Sequence, residues 1–143
     1  MTEISFHFNA PSRAGYACRL LRQAQRHGMA IAVTGPPAVL DELDRELWTL
    51  APADFVAHQR IERLSEVPAD LHPSTIWLGD SVLDVPVHDA LVNLFDAPPP
   101  GFETFGRLFE VVSTDEADRQ AARDRWKVYQ RRGYSIKRHE VAA

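Results

Sequence analysis

The order of strand-like and helix-like segments is the feature that most restricts the fold of this chain. Residues 4–8 alternate apolar and polar side chains, as a strand does, and residues 30–33 form a short apolar run typical of a strand buried on both faces. Between them, apolar residues recur at helical spacing from the N-cap candidate Ser12 to about His27, before Gly28. A strand, a helix and a second strand in this order predict parallel pairing through a right-handed crossover.

The rest of the chain continues the alternation. We predict a second helix over 39–48, strands over 55–58, 75–78 and 90–94, a last strand over 108–112, and a long helix capped by Ser113 or Thr114 that runs to about Arg132. Residues 59–74 are polar and are predicted mainly as loop, and the proline run at 98–101 is too short to divide domains. The 143 residues, 45% of them hydrophobic, therefore predict one α/β domain over 1–143.

Motifs for catalysis, phosphate binding and metal binding are missing from the sequence. It has neither GxxxxGK[ST] nor GxGxxG, and Gly35 is followed by two prolines that leave few backbone N–H groups for a phosphate. The single cysteine, Cys18, excludes thiolate-rich zinc sites, and the six histidines form no metal-binding pair. His88 and Asp89 are adjacent but lack a nucleophile motif. We therefore expect no enzyme activity, no metal and no cofactor.

Charge is distributed unevenly along the chain. Residues 119–138 contain eight basic residues and one acidic residue, a net charge of +7, whereas the rest contains 8 basic and 19 acidic residues, a net charge of −11. A cationic island on an acidic body favours a local acidic partner over a long polyanion. The sequence has no apolar run long enough to span a membrane and no signal peptide, which predicts a cytoplasmic protein.

The last helix is predicted to be amphipathic. At about 100° per residue its outer stripe carries Arg119, Arg123, Trp126, Lys127 and Gln130. Ala117, Ala121 and Val128 lie on the opposite side and are predicted to pack on the sheet, with Ala122 and Tyr129 flanking them. Arg125 lies nearer the packing side, where an ion pair with a carboxylate at the edge of the core is one account of it. The outer stripe is either a solvated basic face or a binding site in which Trp126 is exposed.

Several of these segments, in the same order, resemble the chi subunit of the bacterial DNA polymerase III holoenzyme. The resemblance rests on residues 122–129 with Gly133 and Tyr134, on residues 43–48, and on residues 55–58. The opening strand and the helix that contains Cys18 fit as well, so most of the chain is covered. Residues 59–74 and the proline run depart from the family pattern, and at the position of Trp126 the family often has tyrosine.

The resemblance implies a Rossmann-like α/β/α sandwich with a mostly parallel sheet that acts as a non-catalytic adaptor. Such an adaptor pairs with the psi subunit of the clamp loader and binds the acidic, phenylalanine-terminated tail of the single-stranded DNA-binding protein. Carried over by position, the tail site comprises Arg119, Arg123, Trp126 and Lys127 with Val112 at its edge, and the psi surface comprises Trp48 and Phe55.

Three alternatives stay open from the sequence alone. The domain could be a nucleotide- or small-molecule-binding α/β enzyme with an unrecognised site. Residues 119–138 could bind single-stranded nucleic acid directly, with Trp126 as a stacking platform, although the acidic remainder disfavours this. Trp48 and Phe55 could both be ordinary core residues. We expect no specific DNA binding and no membrane association.

Overall fold

A computed structural model of the protein describes residues 2–48, 58–61, 76–79 and 89–141. Within these ranges it contains seven strands, three α-helices and one short 3-10 turn at Phe102–Thr104. In chain order the elements are β1 Glu3–Ala10, α1 Arg13–Arg26, β2 Ile31–Thr34, α2 Pro37–Trp48, β3 His58–Ile61, β4 Ile76–Gly79, β5 Ala90–Asn93, β6 Arg107–Ser113, α3 Glu116–Arg131 and β7 Ile136–Glu140.

The seven strands form one sheet in the order β3-β4-β2-β5-β6-β1-β7, and every neighbouring pair is parallel. Helices α1 and α2 pack on one face, where Leu21 and Leu43 join Val33 of the sheet in a common core. Helix α3 covers the other face, where Tyr129 packs with Phe6. The predicted parallel α/β/α sandwich is therefore confirmed.

The ends of α1 follow the predicted capping signals. Ser12 precedes the helix, and its Oγ accepts a hydrogen bond from the backbone N–H of Gly15 at 3.1 Å, as an N-cap does. After the helix, Gly28 takes a left-handed conformation with φ of +68°. The backbone N–H of Met29 then donates to the carbonyl of Ala24 at 3.0 Å, which closes the last turn.

Three sequence predictions about local structure are wrong. Residues 108–112 are not the last strand, because β7 follows α3 and pairs with β1. The cap of α3 is Asp115 rather than Ser113 or Thr114: its carboxylate accepts from the backbone N–H of Asp118 at 3.2 Å. Residues 59–61, predicted as loop, belong to β3. Strands β3 and β7 lie at the edges of the sheet, where polar side chains face water and the apolar pattern of a strand is lost.

The packing face of α3 also differs from the prediction. Ala117 is exposed, and the buried residues of this helix are Asp118, Ala122, Arg125 and Tyr129. The helix is thus rotated toward a face that contains an aspartate and an arginine. Apolar spacing could not show this, because the polar members of the face are buried through specific partners.

Arg125 is 1% exposed, and its Nε donates to Oε1 of the fully buried Glu110 at 3.0 Å. Tyr129 donates its hydroxyl to Oε2 of the same carboxylate at 2.5 Å, and Asn93 donates to it from β5 at 3.1 Å. The suggested ion pair between Arg125 and a core carboxylate is therefore confirmed. Burial raises the pKa of Glu110, while the Arg125 guanidinium and the hydrogen-bond donors oppose that rise.

Candidate functional site

An open groove of about 600 Å³ lies between α3 and the adjoining strands β1 and β7. Cationic and apolar side chains share its walls, and no aspartate or glutamate is among the described residues that line it. The lining residues are Phe6, Phe8, Asn9, Val112, Arg119, Ala122, Arg123, Trp126, Lys127, Gln130 and Arg138. All five residues that the resemblance assigned to the tail site (Val112, Arg119, Arg123, Trp126 and Lys127) therefore meet at one groove.

Helix α3 supplies one wall through the helical repeat. Arg119, Arg123 and Lys127 follow each other at intervals of four residues, so they project along one stripe, and all three are exposed. Trp126 is half-buried rather than fully exposed, because its ring packs on Phe6 with 5.1 Å between the ring centroids. The indole is therefore held against the sheet and forms a fixed side of the groove.

Strands β1 and β7 supply the other wall. Because β1 alternates, Phe6 and Phe8 lie on the α3 side of the sheet, and the parallel register places Arg138 beside Phe6. The guanidinium carbon of Arg138 lies 5.3 Å from the ring centroid of Phe8 and 6.0 Å from that of Trp126. The guanidinium of β7 is thus held between rings from β1 and α3.

Phe6, Phe8 and Arg138 are functional candidates that the sequence reasoning missed. The alternation of Phe6 and Phe8 within the first predicted strand was a usable signal, because residues two apart share one face. Arg138 was counted in the cationic segment, but nothing local predicted β7 or its pairing with β1. Its place in the groove depends on a contact between the two ends of the chain.

The four cations of the groove differ in their partners. Arg123 Nη1 lies 3.2 Å from Oε1 of Glu116 and also donates to the side-chain oxygen of Gln120 at 3.2 Å. Arg119 lies 3.9 Å from the other oxygen of Glu116. Within the described ranges, neither Lys127 nor Arg138 forms an ion pair. One carboxylate at the start of α3 therefore partly neutralises two of the four cations.

The two other predicted site residues are not part of this groove. Trp48 is the last residue of α2, in the helix layer on the opposite face of the sheet from α3. Phe55 and His88 lie outside the described residues. Asp89, the sequence neighbour of His88, accepts a hydrogen bond from the backbone N–H of Ala30 at 3.4 Å.

The groups that could have supported an enzyme have structural explanations. Cys18 is buried in the core between α1 and the sheet, and burial, reinforced by Glu46, raises its thiol pKa to about 12. The thiolate is the reactive form, so this cysteine is a poor nucleophile. At the turn after β2, a Cβ on Gly35 would lie 2.9 Å from Cβ of Leu94, so close packing requires this glycine. Among the described residues, no cluster of three or more His, Cys, Asp or Glu could hold a metal ion.

Fold and groove together define a class: a parallel α/β domain whose best-formed cleft joins cations to aromatic rings and carries no acidic or nucleophilic group among its described residues. Comparison with protein families then identifies the relationship. The family model described as "DNA polymerase III chi subunit, HolC" matches residues 1–137. The chain belongs to the DNA polymerase III chi subunit family.

Two curated relatives agree with this assignment. The chain is 32% identical to the DNA polymerase III subunit chi of Pseudomonas aeruginosa over 146 residues, a match that covers 99% of this chain and 98% of the relative. It is 28% identical to the subunit of the same name from Haemophilus influenzae over 126 residues, which cover 87% of this chain and 85% of the relative. The family resemblance seen in the sequence is therefore confirmed.

A helix that spans a membrane needs about 20 mostly apolar residues. No helix in the described ranges combines that length with that apolarity.

Proposed function

We propose that this protein is a non-catalytic accessory subunit of DNA replication that links the psi subunit of the clamp loader to the acidic tail of the single-stranded DNA-binding protein. The observation that carries the proposal is the groove beside α3, where four cations surround an aromatic cleft. Membership of the chi family supports a replication accessory role. The finer assignment of partners rests on the chemistry of the groove and on the family resemblance.

The cationic stripe suits the carboxylates of an acidic peptide. A guanidinium binds a carboxylate through two parallel N–H groups, a geometry that lysine cannot reproduce. Arg119, Arg123 and Lys127 are spaced along three turns of α3, about 12 Å of helix from the first to the last. An extended peptide advances about 3.3 Å per residue, so this stripe spans roughly four peptide residues. Several acidic residues in succession could therefore each meet a cation.

The aromatic floor suits a phenyl ring at the end of such a peptide. Phe6, Phe8 and Trp126 provide ring surfaces, and Val112 and Ala122 close the cleft from β6 and α3. Its volume of about 600 Å³ lies in the range of small-ligand pockets, which exceeds what one phenyl ring needs and leaves room for flanking residues. Ring-on-ring contact adds about 1 kcal/mol beyond the area buried.

Direct binding of single-stranded DNA would use the same cations but would place other demands on the groove. A long polyanion would extend beyond the groove onto a body that carries a net charge of −11 outside residues 119–138. A short acidic peptide ends inside the cationic region and avoids that repulsion. The distribution of charge therefore favours the peptide.

The decisive experiment is binding of a fluorescent synthetic tail peptide to Arg123→Glu. Reversing this charge places a carboxylate where the peptide's own carboxylates must lie, so we expect binding to fall by more than about 100-fold, the effect of like charges at an interface. Arg131→Glu is the matched control: it is exposed on the same helix but does not line the groove. The control should bind the peptide within about threefold of wild type, the scale of a screened surface charge.

Three further readouts accompany this measurement. Thermal stability and psi binding should be unchanged in Arg123→Glu, and wild-type affinity for the peptide should fall as salt increases. If Arg123→Glu binds the peptide as well as wild type does, the tail site is elsewhere. If a single-stranded oligonucleotide of random sequence competes as well as the peptide, direct nucleic-acid binding is the better account.

The psi surface is tested separately through Trp48. Trp48 at the end of α2 lies across the sheet from the groove, so its loss should leave peptide binding unchanged. If it is an interface anchor, Trp48→Ala should keep the thermal midpoint and lose about 2 kcal/mol or more of psi binding, as aromatic hot spots do. Loss of folding together with psi binding would instead assign Trp48 to the core.

A further inference from the structure

The cation on β7 differs from those on α3 in its relation to the aromatic floor. Arg138 lies against both Phe8 and Trp126, at 5.3 and 6.0 Å from their ring centroids. Among the described residues, no other cation of the groove makes such a ring contact. The position where a bound phenyl ring would rest is therefore next to the guanidinium of Arg138.

Arg138 is also free of the internal competition that affects the α3 arginines. Glu116 lies 3.2 Å from Arg123 and 3.9 Å from Arg119, so a ligand carboxylate has to displace it from both. Arg138 has no ion pair in the described part of the chain, and its side chain is exposed. It therefore offers donors to an incoming anion without loss of an existing partner.

The last residue of a peptide carries two groups that cannot separate. In a C-terminal phenylalanine, the ring and the terminal carboxylate branch from the same Cα, which keeps them within a few ångströms of each other. When the ring rests on Phe6, Phe8 and Trp126, the carboxylate must lie at the border of that floor. Arg138 occupies this border, whereas Arg119, Arg123 and Lys127 are arranged along α3 for the preceding acidic side chains.

We infer that Arg138 binds the free C-terminal carboxylate of the peptide and thereby requires that the aromatic residue be the last one. This inference rests on the proposed function and assigns to β7 the recognition of a chain end, distinct from the recognition of acidic side chains by α3. The rings on either side hold the guanidinium in place, so less rotamer freedom is lost when the carboxylate binds.

The test compares two peptides of identical sequence, one with a free C-terminus and one with a C-terminal amide, on each protein variant. Amidation removes the terminal charge alone, so we expect it to weaken wild-type binding roughly tenfold, the scale of one charge-assisted hydrogen bond. In Arg138→Ala both peptides should bind with nearly equal affinity, because the group that detects the carboxylate is gone. Arg138→Lys should restore part of the discrimination, since it keeps a positive charge but not the planar fork.

Lys137→Ala is the matched control on the same strand. It removes one positive charge from the neighbouring position, but Lys137 is paired with Glu3 at 2.7 Å and does not line the groove. This variant should keep the full wild-type preference for the free carboxylate. A double-mutant cycle between the Arg138 variants and the two peptides isolates this pairwise effect from any general loss of affinity.

The outcomes separate the inference from the proposed function. If Arg138→Ala still loses about tenfold on amidation, the hydrogen bond to the carboxylate is made elsewhere and the inference is wrong, while tail binding stands. If wild-type protein binds neither peptide, both the proposed function and this inference are overturned. If Lys137→Ala also loses the preference, the effect is one of net charge, which contradicts a specific role for Arg138.

Discussion

Arg123 and Arg125 lie two residues apart on α3 and have opposite environments. The side chain of Arg123 is 52% exposed at the groove, where it shares the carboxylate of Glu116 and the amide oxygen of Gln120. The side chain of Arg125 is 1% exposed beneath the helix, where its Nε donates to Glu110 and its Nη1 to the carbonyl of Asp96. A helix turns about 200° over two residues, so neighbouring arginines of one cationic segment face water and the core.

This difference shows that the charge of a segment does not measure its binding capacity. The guanidinium of Arg125 has been removed from water, and its charge is balanced by a carboxylate that is itself fully buried. Removing either member would leave an uncompensated charge inside the protein. Arg123 keeps most of its hydration and has a partner that can be displaced, so it can exchange an internal carboxylate for that of a ligand. The first arginine is available for binding, and the second stabilises the fold.

Arg125→Met should have the largest effect of any single substitution that separates the two arginines. It leaves the buried Glu110 carboxylate without its guanidinium, which should lower the free energy of unfolding by about 3–5 kcal/mol. Arg123→Met, the matched control on the exposed face, should change it by no more than about 0.5 kcal/mol. Urea denaturation of both variants measures the difference. Equal stabilities for the two variants would contradict the contrast drawn between them.

Replacement of both buried partners sharpens this test. In Arg125→Met combined with Glu110→Leu no buried charge is left unpaired, so we expect part of the lost stability to return. If the double variant is less stable than Arg125→Met alone, the stabilising role belongs to the remaining partners of Glu110, Tyr129 and Asn93.

Trp126→Ala is expected to have the next largest effect, on peptide affinity. The indole packs on Phe6 and forms a wall of the groove, so its removal should weaken the tail peptide by about 1–2 kcal/mol, as loss of an aromatic contact does. Because apolar contact is not screened, the loss should be the same at low and high salt. Trp126→Tyr, which keeps a ring, should retain most of the affinity. A loss that disappears at high salt would show that Trp126 acts through the charges around it.

His7 on β1 tests whether pH acts on the fold rather than on the groove. Its Nδ1 contacts the hydroxyl of Tyr16, its ring lies 4.9 Å from that of His139, and burial, reinforced by the charge of His139, lowers the pKa of His7 to about 4. The unfolded chain binds this proton near pH 6.5, and the folded protein does so only near pH 4. Stability is therefore fully present above pH 6.5 and falls as the pH decreases toward 4.

The corresponding experiment is a series of thermal melts of wild type and His7→Gln between pH 7.5 and 5.5, roughly the window in which the unfolded imidazole titrates and carboxylates still do not. The variant should show a smaller decrease in melting temperature than wild type. Peptide affinity at neutral pH should be the same for both proteins, because His7 does not line the groove. Parallel decreases in the two proteins would mean that other groups cause the acid sensitivity.

Glu116→Gln should produce the smallest effect, in the opposite direction. It removes the carboxylate that lies near Arg123 and Arg119, so tail affinity should increase by about twofold, the scale of an exposed ion pair. Asp124→Asn is its matched control: it also removes one carboxylate from the exposed face of α3, but Asp124 contacts Gln120 rather than a groove cation. Equal gains in both variants would indicate a general change of net charge instead of relief from competition.

The sequence by itself determined the alternation of strands and helices, the parallel α/β class and the cationic stripe of α3. These depend on local signals: the buried runs that became β2 and β5, the Ser12 cap, and the four-residue repeat of Arg119, Arg123 and Lys127. Each signal works within one element, because apolar spacing and capping express preferences of neighbouring residues. The assembly of those three cations with Trp126 and Val112 at one groove agrees with the family resemblance.

Only the tertiary structure decided which face of α3 is buried and what forms the second wall of the groove. Arg125 looks polar in the sequence, yet it is buried because Glu110 on β6 provides its counter-charge. Arg138 lies in a strand whose side chains are mostly exposed, and it reaches the groove because β7 pairs with β1 at the other end of the chain. Pairing partners that are distant in sequence leave no periodic pattern in either segment, so their meeting is fixed by sheet register and burial.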